Sequence, residues 1–177
     1  MNKEKWISDP MHSELFFTIR HLMISNVTGF FKNIRIEAET EQQDFGNASI
    51  VLTADMRTIS TNNEQRDAHL RSKDFFEVET YPEMTFQSTN VQRVTDNEFT
   101  LHGELTLKGI TKPVTLSMTF NGLISDPKIG IKAGFTVTGK INRSDWNVNF
   151  NRVLDTGGLG LGEEVSFKSE IQLLKRE

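Results

Sequence analysis

Apolar and other residues alternate along this chain with a period of two, and few folds accept that pattern. It starts near Leu15 and continues, with one interruption, to Ile171. Leu15, Phe17 and Ile19 share a face that ends in His21. Ile50, Leu52 and Ala54 share another, as do Met84, Phe86 and Ser88. The longest stripes are Phe99-Leu101-Gly103-Leu105-Leu107, Val114-Leu116-Met118-Phe120 and Ala133-Phe135-Val137-Gly139-Ile141. Val165-Phe167-Ser169-Ile171 closes the series. Successive side chains of a strand point to opposite faces, so each segment is a strand with one apolar and one wet face. Turn signals separate the segments: Asn26-Val-Thr-Gly29, Asp44-Phe-Gly-Asn47, Thr95-Asp-Asn97, Asn121-Gly122 and Asp126-Pro127. About eight one-sided strands at hairpin spacing predict an all-β, eight-stranded antiparallel barrel rather than a parallel sheet.

The interruption is the segment Thr61–Phe86. Thr61-Asn-Asn-Glu64 has the form of a capping box, and Asp67 and Arg71 are spaced for an i,i+4 ion pair. A short helical insertion is therefore predicted near residues 62–76. Two aromatics, Phe75-Phe76, follow it, and Tyr81-Pro82 ends any helix. Set between strands, such a segment reads as a cover over a barrel, or as an ordinary helix packed on its wall.

At 177 residues the chain is the size of one barrel domain, taken here as 1–177. Its formal net charge of −4 without blocks of like charge argues against nucleic acid. The first thirteen residues, MNKEKWISDPMHS, lack the apolar core of a secretion signal, and no run is long enough for a stable membrane insertion. A cytoplasmic location is expected. The absence of cysteine removes disulfides, thiol nucleophiles and Cys-ligated metals. Thirteen Phe against one Tyr implies an apolar interior with few polar handles.

An eight-stranded barrel can be packed solid or can hold one small ligand. Small or polar residues at inward positions, Ala54, Ser88, Gly103, Gly139 and Ser169, suggest space; they also fit a taper against large Phe neighbours. The four histidines, His12, His21, His69 and His102, form no metal-binding motif. The chain lacks a GxSxG nucleophile elbow. The glycine-dense Asp155–Gly162 loop leads into a strand, not into the helix N-terminus that a dinucleotide site requires. It reads as a connector at the barrel mouth. No metal, cofactor or enzymatic activity is predicted.

The segment Arg66-Asp67-x-His69-Leu70-Arg71-Ser72-x-Asp74-Phe75-Phe76, followed by Tyr81-Pro82 and Phe86, resembles the central signature of the YceI-like family. The resemblance runs through Asp9-Pro10-x-His12-Ser13, Gly103-x-Leu105-Thr106, Gly109-x-Thr111-Lys112-Pro113-Val114, Asn142-Arg143-Ser144-Asp145 and Gly162-Glu163-Glu164-Val165. Trp146-Asn147 departs from it, where the family usually has Phe then Gly, and could reshape the mouth. The resemblance implies a lipocalin-like barrel, often a homodimer, that holds a polyisoprenoid or fatty-acyl chain without catalysis. Phe17, Ile19, Ile50, Leu52, Phe86, Leu105, Leu116, Met118, Phe135 and Val137 are the expected lining. His21, Arg66, Asp67 and Arg143 are candidates for its polar end. Alternatively, Arg66, Asp67 and Arg143 pin the helix to the barrel by charged hydrogen bonds. An alternative function is an enzyme or stress-response factor acting on an isoprenoid or quinone-type molecule with His21 as acid–base residue.

Overall fold

The computed structural model describes residues 2–155 and 157–177. Eleven strands and one α-helix follow the order β1 (Lys3–Ser8), β2 (Glu14–His21), β3 (Ser25–Phe31), β4 (Ile34–Glu41), β5 (Asp44–Asp55), β6 (Ile59–Ser60), α1 (Glu64–Arg71), β7 (Glu83–Arg93), β8 (Glu98–Leu107), β9 (Ile110–Asp126), β10 (Gly130–Asn142) and β11 (Leu161–Arg176). All named pairings are antiparallel.

Eleven strands make eight passes of chain because three passes are bent. Strand β11 pairs with β1 through Leu173–Arg176 and with β2 through Leu161–Glu170. β1 and β2 are thus one wall strand, kinked at Asp9–Ser13. β3 continues into β4 across Lys32-Asn33, and β5 into β6 across the 3-10 turn Met56–Thr58. The ring β1-β4-β5-β7-β8-β9-β10-β11 closes back on β1 and leaves no free edge at that end. At the other end the β2-β3-β6 extension stops at the two-residue β6, and α1 packs beside it.

Helix α1 carries almost no apolar stripe, so polar bonds hold it. The buried Asp67 carboxylate accepts from the Thr61 backbone N–H at 2.8 Å and from its hydroxyl at 2.6 Å. Arg66 donates to the Thr61 Oγ1 and carbonyl oxygen at 2.7 and 2.8 Å. Helix α1 departs from the expected cap and from the expected ion pair. The N-cap is Asn63, whose side chain accepts from the Arg66 N–H at 3.0 Å, because the Thr61 hydroxyl is committed to Asp67. Asp67 likewise does not pair with Arg71, which reaches Glu64 at 2.6 Å instead.

The inward glycines do not open space. Gly139 lies directly opposite Phe167, and Gly29 opposite Phe17. A Cβ on Gly139 would come within 2.6 Å of Leu116 and 2.7 Å of Phe167, and one on Gly103 would meet the Phe86 ring. These glycines are seats for phenyl rings, and Ser169 donates to the Glu14 carbonyl at 2.6 Å.

No helix among the described residues is long and apolar enough to cross a membrane.

Candidate functional site: an apolar cavity in the barrel

Trp6, Phe45, Phe120 and Phe135 fill the ring-closed end. Trp6 and Phe45 have ring centroids 5.0 Å apart, and Phe45 meets Phe135 at 4.7 Å. The Trp6 indole, buried among these rings, donates to Thr40 Oγ1 at 3.0 Å, so its one polar atom is satisfied. Phe45 and Phe135 form the floor of a cavity of about 410 Å³ that extends toward α1. That size falls in the roughly 300–1,000 Å³ range of small-molecule sites.

Thirteen of the fourteen residues expected from the sequence face this space. Phe17 and Ile19 of β2, Ile50 and Leu52 of β5, and Phe86 of β7 form one side. Leu105, Leu116, Met118, Phe135 and Val137, from β8, β9 and β10, form the other. His21, Arg66 and Arg143 reach it from the α1 end. Asp67 does not; its carboxylate is turned onto Thr61.

Arg143 is almost completely buried and divides its bonds among three carbonyls. Nε donates to Gly162 at 2.8 Å, while one terminal nitrogen donates to Val148 at 2.7 Å and Phe150 at 2.8 Å. It therefore pins the 147–162 loop rather than α1. Among the described residues the other terminal nitrogen has no hydrogen-bond acceptor, and it lies 3.7 Å from Glu163. Burial pushes the guanidinium below its ordinary value, and the Glu163 charge opposes that shift.

One side of the mouth is built by a cluster that ties α1 to the loop. The His69 ring meets the edges of Phe75 and Phe150 at 5.0 and 4.8 Å, and its Nε2 lies 2.8 Å from the Asp74 carboxylate. The segment Arg66–Phe76 is accordingly part of the cavity wall: Leu70, Phe75 and Phe76 line it. Phe150 and Arg152 line it too, without having been expected. The available signal was a lone Phe amid the asparagines of Asn147–Asn151. Trp146 lies outside the lining, buried, with its indole donating to the Leu105 carbonyl at 3.1 Å. Asn147 takes the left-handed position, φ 59°, that glycine usually fills. The departure from the family motif thus leaves the cavity intact. In the glycine-dense loop, Val153 and Leu159 form an isolated antiparallel bridge; Thr156 lies outside the described residues.

Two histidines pair with carboxylates, His12 with Asp9 and His69 with Asp74, and His21 is in neither pair. Among the described residues, no group of three or more His, Asp or Glu is placed to hold a metal.

Fold and cavity together define a hollow, lipocalin-like antiparallel barrel with an apolar interior. The chain belongs to the YceI-like domain family, whose model matches residues 6–173. It is 39% identical over 165 residues to a UPF0312 protein of Staphylococcus aureus, covering 93% of this chain and 94% of that one. The crystal structure of Burkholderia cenocepacia BcnA superposes with a TM-score of 0.81 at 22% identity, covering 93% of this chain and 98% of that one. A polyisoprenoid-binding domain from Saccharophagus degradans has the same fold, with a TM-score of 0.68 at 14% identity over 97% of this chain and 98% of that one.

Proposed function

We propose that this protein binds and carries one long-chain amphiphile, a polyisoprenoid or fatty-acyl compound, and does not transform it. The observation that carries this reading is the cavity: about 410 Å³, apolar from the Phe45–Phe135 floor upward, with charged groups only toward the α1 end. Each CH₂ moved from water into such a space contributes roughly 0.8 kcal/mol, so an apolar tail needs few polar contacts to bind tightly. Arg66, Arg152 and His21 stand where the polar end of the ligand would emerge. The polyisoprenoid-binding character of the Saccharophagus domain agrees with this ligand class.

Titration with the fluorescent fatty acid cis-parinaric acid tests the reading. Wild type takes up one equivalent. Phe17→Asp places a carboxylate on the wall and weakens uptake by on the order of a hundredfold, about 2.7 kcal/mol. Equal uptake by a folded Phe17→Asp protein, or none by wild type, contradicts it.

A further inference from the structure

We propose that the barrel mouth is a docking surface for a lipid bilayer, through which the ligand enters from the membrane. This rests on the apolar-ligand reading above, but the surface is recognised independently of it. Two turns meet there. The Leu22–Ile24 turn between β2 and β3 lies against the 150–160 loop, with the Leu22 N–H donating to the Gly160 carbonyl at 2.8 Å and Met23 packed on Gly158. Together they expose Met23 (59%), Ile24 (78%) and Val153 (70%), with Leu22, Phe150 and Leu159 partly exposed beside them. Contiguous exposed apolar side chains of this size mark an interaction surface.

The chemistry of the partner follows from continuity. Leu22 and Phe150 belong both to this rim and to the cavity lining. The apolar surface therefore runs unbroken from the outside of the protein to the cavity floor. A protein partner would seal that route. A bilayer extends it, because the hydrocarbon where an isoprenoid or acyl chain resides would then meet the mouth directly. Arg20 and Arg152 stand exposed beside the rim, at the level where lipid phosphates would lie, with Asp155 the one acidic residue in either turn. The net charge of −4 makes long-range attraction to an anionic surface weak. Docking is therefore driven by shallow insertion of the apolar rim, in the manner of interfacial segments, and not by charge.

The test is flotation of the full chain with phosphatidylcholine vesicles in about 1 M salt, where the screening length is about 3 Å. Wild type floats. The double variant Ile24→Asp/Val153→Asp remains at the bottom, with partitioning reduced at least about tenfold. Ile24→Trp, which adds an interfacial aromatic, floats more completely. None of these residues lines the cavity, so cis-parinaric acid uptake is unchanged in all three proteins. Wild type that binds the probe yet stays at the bottom overturns the docking surface and leaves the carrier reading standing. Flotation without probe uptake does the reverse. Equal flotation of the double variant and wild type also overturns the surface.

Discussion

Replacing Arg143 by Met separates a structural guanidinium from a ligand-binding one. The side chain donates three hydrogen bonds, at 2.8, 2.7 and 2.8 Å, to carbonyls of Gly162, Val148 and Phe150. Bonds to a charged donor contribute roughly 1.5–3 kcal/mol each, a gross sum of about 4.5–9 kcal/mol. Burying the guanidinium offsets part of this, since one of its terminal nitrogens lacks a hydrogen-bond acceptor among the described residues. Met fills much of the same volume without that cost but leaves three carbonyls without their donor. The expected net loss is about 3 kcal/mol, near the lower end of what breaking a buried charged contact costs. With a urea m-value near 2 kcal/mol/M, the unfolding midpoint falls by about 1.5 M. The 147–162 loop, released from its pin, becomes the first site of proteolysis. Arg143→Lys keeps the charge but loses the fork geometry, so it recovers less than half of the loss. A midpoint shift below about 0.5 M, with ligand uptake abolished, would refute the structural role and make Arg143 a ligand residue.

Thr61→Val removes the hydroxyl that bonds both Asp67 and Arg66, and costs about 1–3 kcal/mol in thermal or urea unfolding. Gly103→Ala forces a Cβ against the Phe86 ring and the Gln87 carbonyl, an overpacking cost of about 1–3 kcal/mol seen as a lowered melting temperature. Asp9 sits at the β1–β2 kink between Lys132 Nζ at 2.7 Å and His12 Nδ1 at 3.0 Å, and Lys132 above all holds its carboxyl far below the ordinary carboxylate range. Its folded pKa lies below its unfolded one. The stability it contributes is therefore fully present above pH ~4 and is lost progressively as the pH falls toward the folded value. Asp9→Asn should destabilise at pH 7 and flatten the acid limb of a stability–pH profile; an unchanged acid limb contradicts this.

The strands were legible because a wall with one wet face imposes period two, and nearly every stripe read from the sequence faces the interior. The bends at Asp9–Ser13 and Lys32-Asn33 were not. They interrupt two passes that pair with each other on both sides of the bend, β1 with β4 and β2 with β3, and that shared bend is a long-range fact that local spacing does not encode. The helix start was misplaced between two residues that both satisfy capping rules. Asn63 caps because Thr61 is occupied by Asp67, six residues on. Gly103 and Gly139 were visible as small interior positions, yet their meaning depended on the rings lying over them from other strands. Asp67 and Arg66 read alike as polar candidates; only burial and partner assign the first to folding. Phe150 escaped because its loop carries no periodicity.

Occupation of the cavity by one long-chain amphiphile would be visible in the mass of the intact protein. Native mass spectrometry of freshly purified protein, followed by solvent extraction and lipid identification, tests it most directly. A single discrete adduct at one per chain, extracting as an isoprenoid or fatty-acyl compound, is expected. A bare mass that persists after incubation with prenyl and fatty-acyl lipids would contradict it.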